Sequence, residues 1–278
     1  MQKLIEYMST LIDDGLVVAF SGGVDSSLLL KIATKLGQAK NIPVYAVTFE
    51  TNLHPKADLA VAKKVASEVG AIHDIIFIDE LTCPEILSNS KDRCYYCKRF
   101  LFETLIDYAK EHKLKCVIDG TNFDDLSQYR PGILALKELG IISPLARLEI
   151  DKATIRNYAQ ELNISVYDRP SAPCLATRIP YDTQLNMDVL KRIDEAENFL
   201  SDLGFIQNRV RLHNDIVRIE INPEYFDSII SNYKNIISHF KKLGFIYITL
   251  DLEGFRSGSM DIFLEIESYG SNSVKNNF

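Results

Sequence analysis

Short apolar runs alternate with amphipathic stretches over residues 1–169. The runs LVVAF (16–20), VYAVTF (44–49), HDIIFI (73–78) and CVID (116–119) are typical of buried strands, and IISPL (141–145) continues the series. Between them, apolar residues recur at helical spacing and predict helices from Leu28 onward and over 57–69, 98–111 and 152–162. This alternation predicts an α/β domain over 1–169, with a mostly parallel sheet, right-handed crossovers and helices on both faces.

The pattern changes at 170–183, where Pro170, Pro173 and Pro180 exclude a helix interior or a central strand. We predict an ordered linker there. Beyond it, helical stretches at 187–203 and 224–243 each end in Leu-Gly-Phe-Ile and lead into strand-like segments, with an alternating strand over 215–221 between them. Gly204 and Gly244 are placed to terminate the two helices. The sequence therefore predicts a smaller α+β domain over 184–270, followed by a frayed tail over 271–278.

Composition narrows the class of protein. Of 278 residues, 46% are hydrophobic and 25% are charged, which is typical of a globular chain and excludes a disordered or fibrous one. No apolar run approaches the roughly 20 residues that span a bilayer, and the start of the chain is acidic and amphipathic, unlike a signal peptide. We therefore expect a cytoplasmic protein without membrane contacts. The formal net charge of −7 argues against a nucleic acid partner, because phosphate binding favours a basic surface.

A glycine-rich segment, SGGVDSS (21–27), directly follows the first strand and opens a helix. Gly22 and Gly23 allow backbone N–H groups to approach an anion closely, and the helix N-terminus adds a partial positive charge. The segment matches neither the Walker nor the nicotinamide-binding motif. It predicts a phosphate-binding loop, and the alternative is a structural turn capped by Ser and Asp side chains.

SGGVDSS resembles the PP-loop of the ATP pyrophosphatase superfamily. The resemblance implies that ATP is cleaved between its α- and β-phosphates, that a carboxylate or carbonyl oxygen is adenylated, and that Mg²⁺ neutralises the leaving pyrophosphate. The residues expected to hold the pyrophosphate are Ser21, Gly22, Gly23, Asp25, Ser26 and Ser27. Asp25 is also expected to place the metal and to serve catalysis.

A second polar cluster, DGTNFDD (119–125), follows the strand CVID. Ligands of open α/β sheets bind at the carboxyl ends of the strands, so this cluster is expected beside the PP-loop. Gly120, Thr121 and Asn122 are its candidate nucleotide contacts, whereas Asp124 and Asp125 are candidates for a second Mg²⁺ or for substrate binding. The alternative is an Asx-rich turn that caps the next helix.

Five cysteines in a chain without a secretory signal indicate reduced thiols. Cys94 and Cys97 form a CxxC motif among basic residues, and Cys174 lies in the proline-rich linker. Three thiolates without a histidine suit an iron–sulfur cluster with one open iron. A zinc site, a redox CxxC pair and a chance CxxC are the alternatives. Cys83 and Cys116 are expected to be small core residues.

Cys174 also has an interpretation without metal. It lies between Arg169 and Arg178, in a loop where a nucleophile would be found. A thiolate there would attack an acyl-adenylate to give a thioester, from which the sulfur would pass to the substrate.

Several further blocks, taken in order, resemble the signatures of the LarE family, the ATP-dependent sulfur transferases of nickel-pincer nucleotide cofactor biosynthesis. The blocks are SGGVDSS, GTNFDDLSQYRPG (120–132), SPL (143–145), DRPSAPCLATRIPY (168–181), RVR (209–211), RIEI (218–221) and TLDLEGFRSGSM (249–260). The resemblance implies that both carboxylates of pyridinium-3,5-biscarboxylic acid mononucleotide are adenylated and converted to thiocarboxylates. Some members sacrifice the sulfur of one cysteine, matching Cys174, and others bind a 4Fe–4S cluster through three.

The three cysteines place this chain with the cluster-dependent members, which take sulfur from sulfide or another donor and turn over repeatedly. The resemblance also implies a divalent or anionic site at Glu197, Arg209 and Glu220, and assembly into homo-oligomers, namely hexamers. A small-molecule nucleotide is the expected substrate. The candidate contacts for it or its phosphate are Asp124, Arg130, Arg178, Arg209, Arg211 and Arg256. For Arg209, Arg211 and Arg256, a solvated surface position is an alternative of at least equal weight.

Other functions remain open at this stage. A tRNA thiolase can share both the PP-loop and a three-cysteine cluster, although the net charge opposes it. A non-catalytic nucleotide sensor with structural zinc is a second alternative. An amidating ligase would need a glutaminase partner and would leave the cysteines unexplained.

Overall fold

The computed structural model describes residues 1–127, 131–170, 173–256 and 259–260. The chain divides into two compact units, Met1–Pro173 and Cys174–Phe278, and the division falls inside the predicted 170–183 linker. Within the described ranges, no helix is long and apolar enough to cross a membrane.

The first unit contains a four-stranded parallel sheet. Its strands are β1 (Leu16–Ala19), β2 (Val44–Thr51), β3 (Ile72–Ile78) and β4 (Cys116–Ile118), in the order β3-β2-β1-β4. The four strands and their parallel arrangement confirm the α/β prediction. The expected fifth strand is reduced to a single parallel bridge between Ile142 and Ile118, because Pro144 begins a helix two residues later.

Eight helices of this unit are described, and they cover both faces of the sheet. They are α1 (Gln2–Leu11), α2 (Val24–Lys40), α3 (Lys56–Val69), α4 (Pro84–Leu87), α5 (Arg93–Glu111), α6 (Pro131–Glu138), α7 (Pro144–Arg147) and α8 (Lys152–Glu161). Helix α5 begins five residues before the predicted start at 98, because its first turn is polar and aromatic and lacks the apolar spacing on which the prediction rested.

Alternate residues of β1 point to opposite faces of the sheet and enter two separate hydrophobic cores. Leu16 and Val18 are buried with side chains of α1, α2, α3 and α8, whereas Val17 is buried with side chains of α5 and α6. The continuous apolar run LVVA is therefore required, since both faces of a central parallel strand are covered by helices.

The second unit is a small α+β fold with a mixed three-stranded sheet. Its elements are α9 (Met187–Asp202), β5 (Asn208–His213), β6 (Ile216–Ile221), α10 (Phe226–Ser231), α11 (Tyr233–Lys242) and β7 (Tyr247–Leu250). Strand β6 is central, antiparallel to β5 and parallel to β7. The single helix predicted over 224–243 is interrupted at Asn232, whose side chain donates to the Ser228 carbonyl at 2.9 Å and competes with the helical backbone.

The two predicted glycine stops are confirmed. Gly204 has φ +97° and its N–H bonds to the Ser201 carbonyl at 2.9 Å, while the next N–H, of Phe205, reaches back to the Leu200 carbonyl at 3.0 Å. Gly244 (φ +86°) and Phe245 repeat this arrangement at the end of α11. The left-handed conformation explains why glycine stands at both positions.

Candidate functional site

The loop between β1 and α2 has the geometry of a phosphate cradle. Gly22 has φ +72°, and a Cβ atom there would lie 2.9 Å from the main chain of Ala62 in α3. Gly23 is the N-cap of the 17-residue helix α2, and no side chain of the described residues caps it. The first N–H groups of this helix are therefore available to an anion.

Serine hydroxyls line the same loop and bond to each other and to the loop backbone. Ser21 Oγ and Ser26 Oγ are 3.2 Å apart, and they accept from the N–H groups of Gly23 and Ser21, both at 3.3 Å. The buried Ser27 hydroxyl has no hydrogen-bond partner among the described residues. Hydroxyls and N–H groups in this arrangement suit the several oxygens of a pyrophosphate.

Asp25, in the first turn of α2, is paired with a lysine that the sequence analysis missed. The Nζ atom of Lys152 donates to the Asp25 carboxylate, and Asn122 Nδ2 donates to the same carboxylate at 3.4 Å. Lys152 is the first residue of α8, and its backbone N–H donates to Asp124 Oδ2 at 2.9 Å. No local sequence signal marks Lys152, because its partner is distant along the chain.

The 119–125 segment lies directly against the PP-loop. A Cβ atom on Gly120 would be 3.0 Å from the Ser26 backbone nitrogen, a tight contact that glycine avoids. Asp119 is buried and accepts from the Thr121 hydroxyl, and also from the Ser143 hydroxyl at 2.5 Å. The two loops thus form one continuous polar surface at the carboxyl ends of β1 and β4.

The acidic residues of this segment also stabilise its turn. Asn122 N–H donates to Asp125 Oδ2 at 3.1 Å, and Asp125 N–H donates to Asn122 Oδ1 at 3.2 Å. This reciprocal pair is the Asx-type turn named above as the alternative. Arg130, the candidate phosphate contact that follows, lies outside the described residues.

Magnesium is usually held in proteins by one or two carboxylates together with substrate phosphates. Over the described ranges, no group of three or more His, Cys, Asp or Glu side chains converges to hold a metal ion. Asp25 beside the PP-loop nonetheless fits the usual pattern for magnesium, since the phosphates would complete the oxygen ligands.

The CxxC motif occupies the first turn of α5. Cys94 and Cys97 are three residues apart on one helix and therefore lie on the same face. Cys94 is exposed, and its Sγ accepts from Arg93 Nη2 at 3.6 Å. Soft sulfur ligands on one accessible helical turn fit the donor set of an iron–sulfur cluster.

The remaining cysteines of the first unit are in different surroundings. Burial raises the pKa of Cys116 to about 11. Burial and the neighbouring Glu85, whose carboxylate accepts from the Cys83 thiol at 3.1 Å, raise the pKa of Cys83. Both environments disfavour the thiolate that metal binding requires.

Cys174 is the first residue of the second unit and the N-cap of a 3₁₀ turn over Leu175–Arg178. Its carbonyl oxygen accepts from the Thr177 backbone N–H at 3.1 Å, the Thr177 hydroxyl at 2.8 Å and Arg178 Nη1 at 3.2 Å. The backbone of this cysteine is therefore held from three directions.

Two of the candidate ligand residues form a buried ion pair with each other. Arg178 Nε and Nη2 donate to the two carboxylate oxygens of Glu197 at 2.8 and 2.9 Å, and Glu197 also accepts from the Val210 N–H at 2.8 Å. Arg178 is 1% exposed. The pair thus has a structural role of its own inside this unit.

A second buried pair joins Arg211 to Glu220 at 2.7 Å, and Arg218 and Ser259 bond to the same Glu220 oxygen. The other carboxylate oxygen, Glu220 Oε2, is buried without a hydrogen-bond partner in the described part of the chain. Arg211 also donates to the Thr177 carbonyl at 2.8 Å.

Arg209 lies between these pairs, with its guanidinium 5.2 Å from the ring centre of Phe255. Burial, together with the positive charge of Arg178, lowers the pKa of Arg209 to about 10. A cation in such surroundings would be stabilised by a bound anion. Arg256, another candidate, pairs with Glu253 at 2.7 Å and approaches Asp251 at 3.5 Å.

Comparison with known proteins agrees with this fold. A family model described as asparagine synthase matches residues 11–120. The structure of NMN synthetase from Francisella tularensis resembles the chain with a TM-score of 0.50 at 21% identity, covering 72% of this chain and 84% of that one. Together with the loop geometry, these matches show that the first unit has the PP-loop fold.

Relatives in sequence extend over nearly the whole chain. Pyridinium-3,5-bisthiocarboxylic acid mononucleotide synthase of Lactiplantibacillus plantarum is 36% identical over 244 residues, 88% of each chain. An uncharacterized protein of Synechocystis is 38% identical over 250 residues, 89% of this chain and 92% of its own. The chain belongs to the LarE family. A tRNA-cytidine(32) 2-sulfurtransferase 2 of Francisella tularensis is 31% identical over 124 residues, 41% of this chain and 47% of its own.

Proposed function

We propose that this protein is an ATP-dependent sulfur transferase that converts both carboxylates of pyridinium-3,5-biscarboxylic acid mononucleotide to thiocarboxylates for a nickel-pincer nucleotide cofactor. The observation that carries this proposal is the similarity to the Lactiplantibacillus synthase, which spans 244 residues and so includes parts of both units. The tRNA sulfurtransferase matches only 124 residues, fewer than the first unit contains.

Adenylation is assigned to the PP-loop. A carboxylate oxygen of the substrate attacks the α-phosphorus of ATP, and the bond from that phosphorus to the pyrophosphate oxygen breaks. The N–H groups of the loop and the ammonium of Lys152 stabilise the negative charge that develops on the pyrophosphate. Asp25 would hold Mg²⁺, which supplies charge neutralisation when bound.

Sulfur delivery is assigned to the cysteines. Cys94, Cys97 and Cys174 would ligate a 4Fe–4S cluster, which when bound supplies a transferable sulfide at its open iron. The sulfur replaces AMP on the acyl carbon and gives a thiocarboxylate. External sulfide or another sulfur donor would restore the enzyme for the next turnover.

Cys174 alone supplies the alternative route for the same reaction. Its thiolate would attack the acyl carbon and expel AMP, giving a thioester. Removal of the Cys174 α-proton and cleavage of its Cβ–Sγ bond would then leave dehydroalanine on the chain and the thiocarboxylate on the substrate. This route permits one transfer per chain.

The substrate phosphate is assigned to arginines of the second unit other than the buried Arg178, with Arg209 as the main contact. Its depressed pKa shows that its surroundings penalise the charge, and a bound phosphate would relieve that penalty. The other candidates of this unit are Arg211, which pairs with Glu220, and Arg256, which bonds to Asp251. Glu220 Oε2 has no hydrogen-bond partner among the described residues, so a cation or a donor group of the substrate would bind there. The family resemblance further predicts a homo-hexamer, which light scattering would test.

The test is an anaerobic reaction of the full-length protein with ATP, Mg²⁺, sulfide and the pyridinium biscarboxylate mononucleotide. Mass spectrometry should find the bisthiocarboxylate, accompanied by AMP and pyrophosphate, in several turnovers per chain. At most one sulfur transferred per chain, with a mass loss equal to H₂S at Cys174, would establish the sacrificial route. Thiolation of added tRNA, with no reaction of the mononucleotide, would overturn the proposal.

A further inference from the structure

We infer that Arg178 and Glu197 are positioning residues, which fix the backbone of Cys174 and thereby the direction of the Cα–Cβ bond that carries its thiol. The inference deepens the proposed function and rests on it for the role of Cys174 in sulfur delivery. Arg178, Glu197 and Cys174 all belong to the second unit.

Arg178 connects helix α9 to the Cys174 turn, the 3₁₀ turn over Leu175–Arg178 that begins after Cys174. Arg178 Nε and Nη2 donate hydrogen bonds to the two carboxylate oxygens of Glu197 in α9. The third nitrogen, Nη1, donates to the Cys174 carbonyl at 3.2 Å and to the Thr177 hydroxyl at 2.8 Å. One planar guanidinium therefore joins a helix to both ends of the turn. The planar guanidinium therefore fixes both the distance and the orientation of the turn relative to α9.

Glu197 is itself held in place by helix α9 and by strand β5. Helix α9 begins at a hydrogen-bonded cap, with Asn186 Oδ1 accepting from the N–H groups of Asp188 and Val189 at 2.9 and 3.2 Å. The same helix buries Leu190, Ile193, Ala196 and Leu200, and Glu197 also accepts from β5 through the Val210 N–H. The carboxylate is thus fixed by a packed helix and a strand before it meets Arg178.

The burial of Arg178 favours a positioning role over ligand binding. Arg178 is 1% exposed, so a substrate phosphate could not reach its guanidinium without displacing the turn. The Arg211 guanidinium reinforces the same turn from β5, since it donates to the Thr177 carbonyl at 2.8 Å. Two buried arginines therefore hold two carbonyls of one short turn, those of Cys174 and Thr177.

The experiment compares three variants with the wild-type protein. Arg178→Lys keeps the charge but removes the planar fork. The double variant Arg178→Met/Glu197→Leu removes both buried charges together and so avoids the instability of one charge left without its partner. Arg192→Met is the matched control, because Arg192 lies on the same helix, five residues before Glu197, and its guanidinium donates to the Leu243 carbonyl at 3.4 Å and not to the Cys174 turn.

Three readouts separate the possible roles. The first is the rate at which iodoacetamide alkylates Cys174 in iron-free, full-length protein, relative to Cys94 in the same sample. The second is pyrophosphate release, and the third is thiocarboxylate formation, measured on the same preparations. Circular dichroism melting shows whether each variant is folded at the assay temperature.

Both test variants should alkylate Cys174 about tenfold faster, because the turn opens more often. The amount of thiocarboxylate formed per pyrophosphate released should fall about 100-fold, because the thiol is misplaced for the step that follows adenylation. The control should match the wild type in all readouts. If the folded double variant alkylates Cys174 and transfers sulfur at wild-type rates, the inference is overturned. If the wild-type protein makes no thiocarboxylate, the proposed function is overturned, and the alkylation rates alone then test whether Arg178 and Glu197 hold the Cys174 turn.

Discussion

The Nζ atom of Lys152 donates a hydrogen bond to the Asp25 carboxylate and joins the first residue of α8 to the first turn of the PP-loop helix. Both side chains are partly exposed, 32% for Lys152 and 20% for Asp25. The contact therefore places one cation and one carboxylate next to the loop, where a triphosphate and its metal would need them.

Replacing Lys152 by methionine should lower kcat/KM for pyrophosphate release about 100-fold, since one donor to the developing charge is lost. A coupled pyrophosphate assay would measure the effect. Lys40→Met is the matched control, because Lys40 lies at the other end of α2 in a surface pair with Asp13. Equal rates for the two variants would contradict the role given to Lys152.

Gly22→Ala should destabilise the protein by about 2–4 kcal/mol and weaken ATP binding, because the left-handed backbone and the clash with Ala62 act together. Urea unfolding and calorimetric titration with ATP would measure both. Gly140→Ala isolates the backbone component, since Gly140 has φ +70° and a Cβ atom added there would meet nothing within 4 Å. That control should lose only about 1–2 kcal/mol and should bind ATP normally. Similar losses in the two variants would argue against the close packing of the loop.

Protein purified without oxygen should contain about four iron atoms and four labile sulfides per chain. Serine at position 94, 97 or 174 should reduce iron content severely, whereas Cys83→Ser should retain it, because Cys83 is a raised-pKa thiol bonded to Glu85. Colorimetric iron analysis would decide. Full iron content in Cys94→Ser protein would remove the cluster assignment and favour Cys174 as the donor.

Cys116 should be the slowest cysteine to alkylate in folded, iron-free protein. With a pKa of about 11, its thiolate fraction near pH 8 is only about 0.1%. Peptide mapping after timed treatment with iodoacetamide would rank the five thiols. The exposed Cys94 provides the internal comparison, and faster reaction at Cys116 than at Cys94 would contradict the buried environment described for it.

Acid should destabilise the protein partly through His73. Burial lowers the pKa of His73, an effect that Asp74 partly opposes, so the folded state binds this proton less readily than the unfolded state. The resulting contribution to stability is present above about pH 6.5 and is lost as the pH falls through the lower pKa of the folded state.

His73→Gln should therefore reduce the difference in unfolding free energy between about pH 7.5 and about pH 5.5. Urea titrations at the two pH values would measure it, with the exposed His112→Gln variant as control. An unchanged pH difference in the His73 variant would show that other groups account for the acid sensitivity.

The sequence predicts the four described strands and the PP-loop because their signals are local. The run LVVA must be apolar on both faces, and glycine at position 22 is required by a left-handed turn. The Lys152–Asp25 contact could not be predicted, since it joins two helix starts that are distant along the chain and has no periodic pattern. The interruption at Asn232 was also missed, because the apolar spacing continues through it while the amide side chain ends the helix.

The second unit illustrates a different limit. Glu197, Arg209 and Glu220 were assigned to a ligand site by resemblance, but residue type alone does not show which charges satisfy one another. The structure pairs Glu197 with Arg178 and Glu220 with Arg211, contacts that depend on the packing of α9 against β5 and on the β5–β6 register. Their place in substrate binding stays a prediction.

The buried pair of Arg178 and Glu197 has a consequence for the evolution of this family. Loss of either partner alone leaves a charge buried without its counterpart, a change that costs about 3–5 kcal/mol, whereas joint replacement by apolar residues is close to neutral for stability. Single substitutions should therefore be eliminated by selection on stability, and the double replacement by selection on sulfur transfer. Arginine at position 178 and glutamate at position 197 are expected to persist together among descendants of a common ancestor.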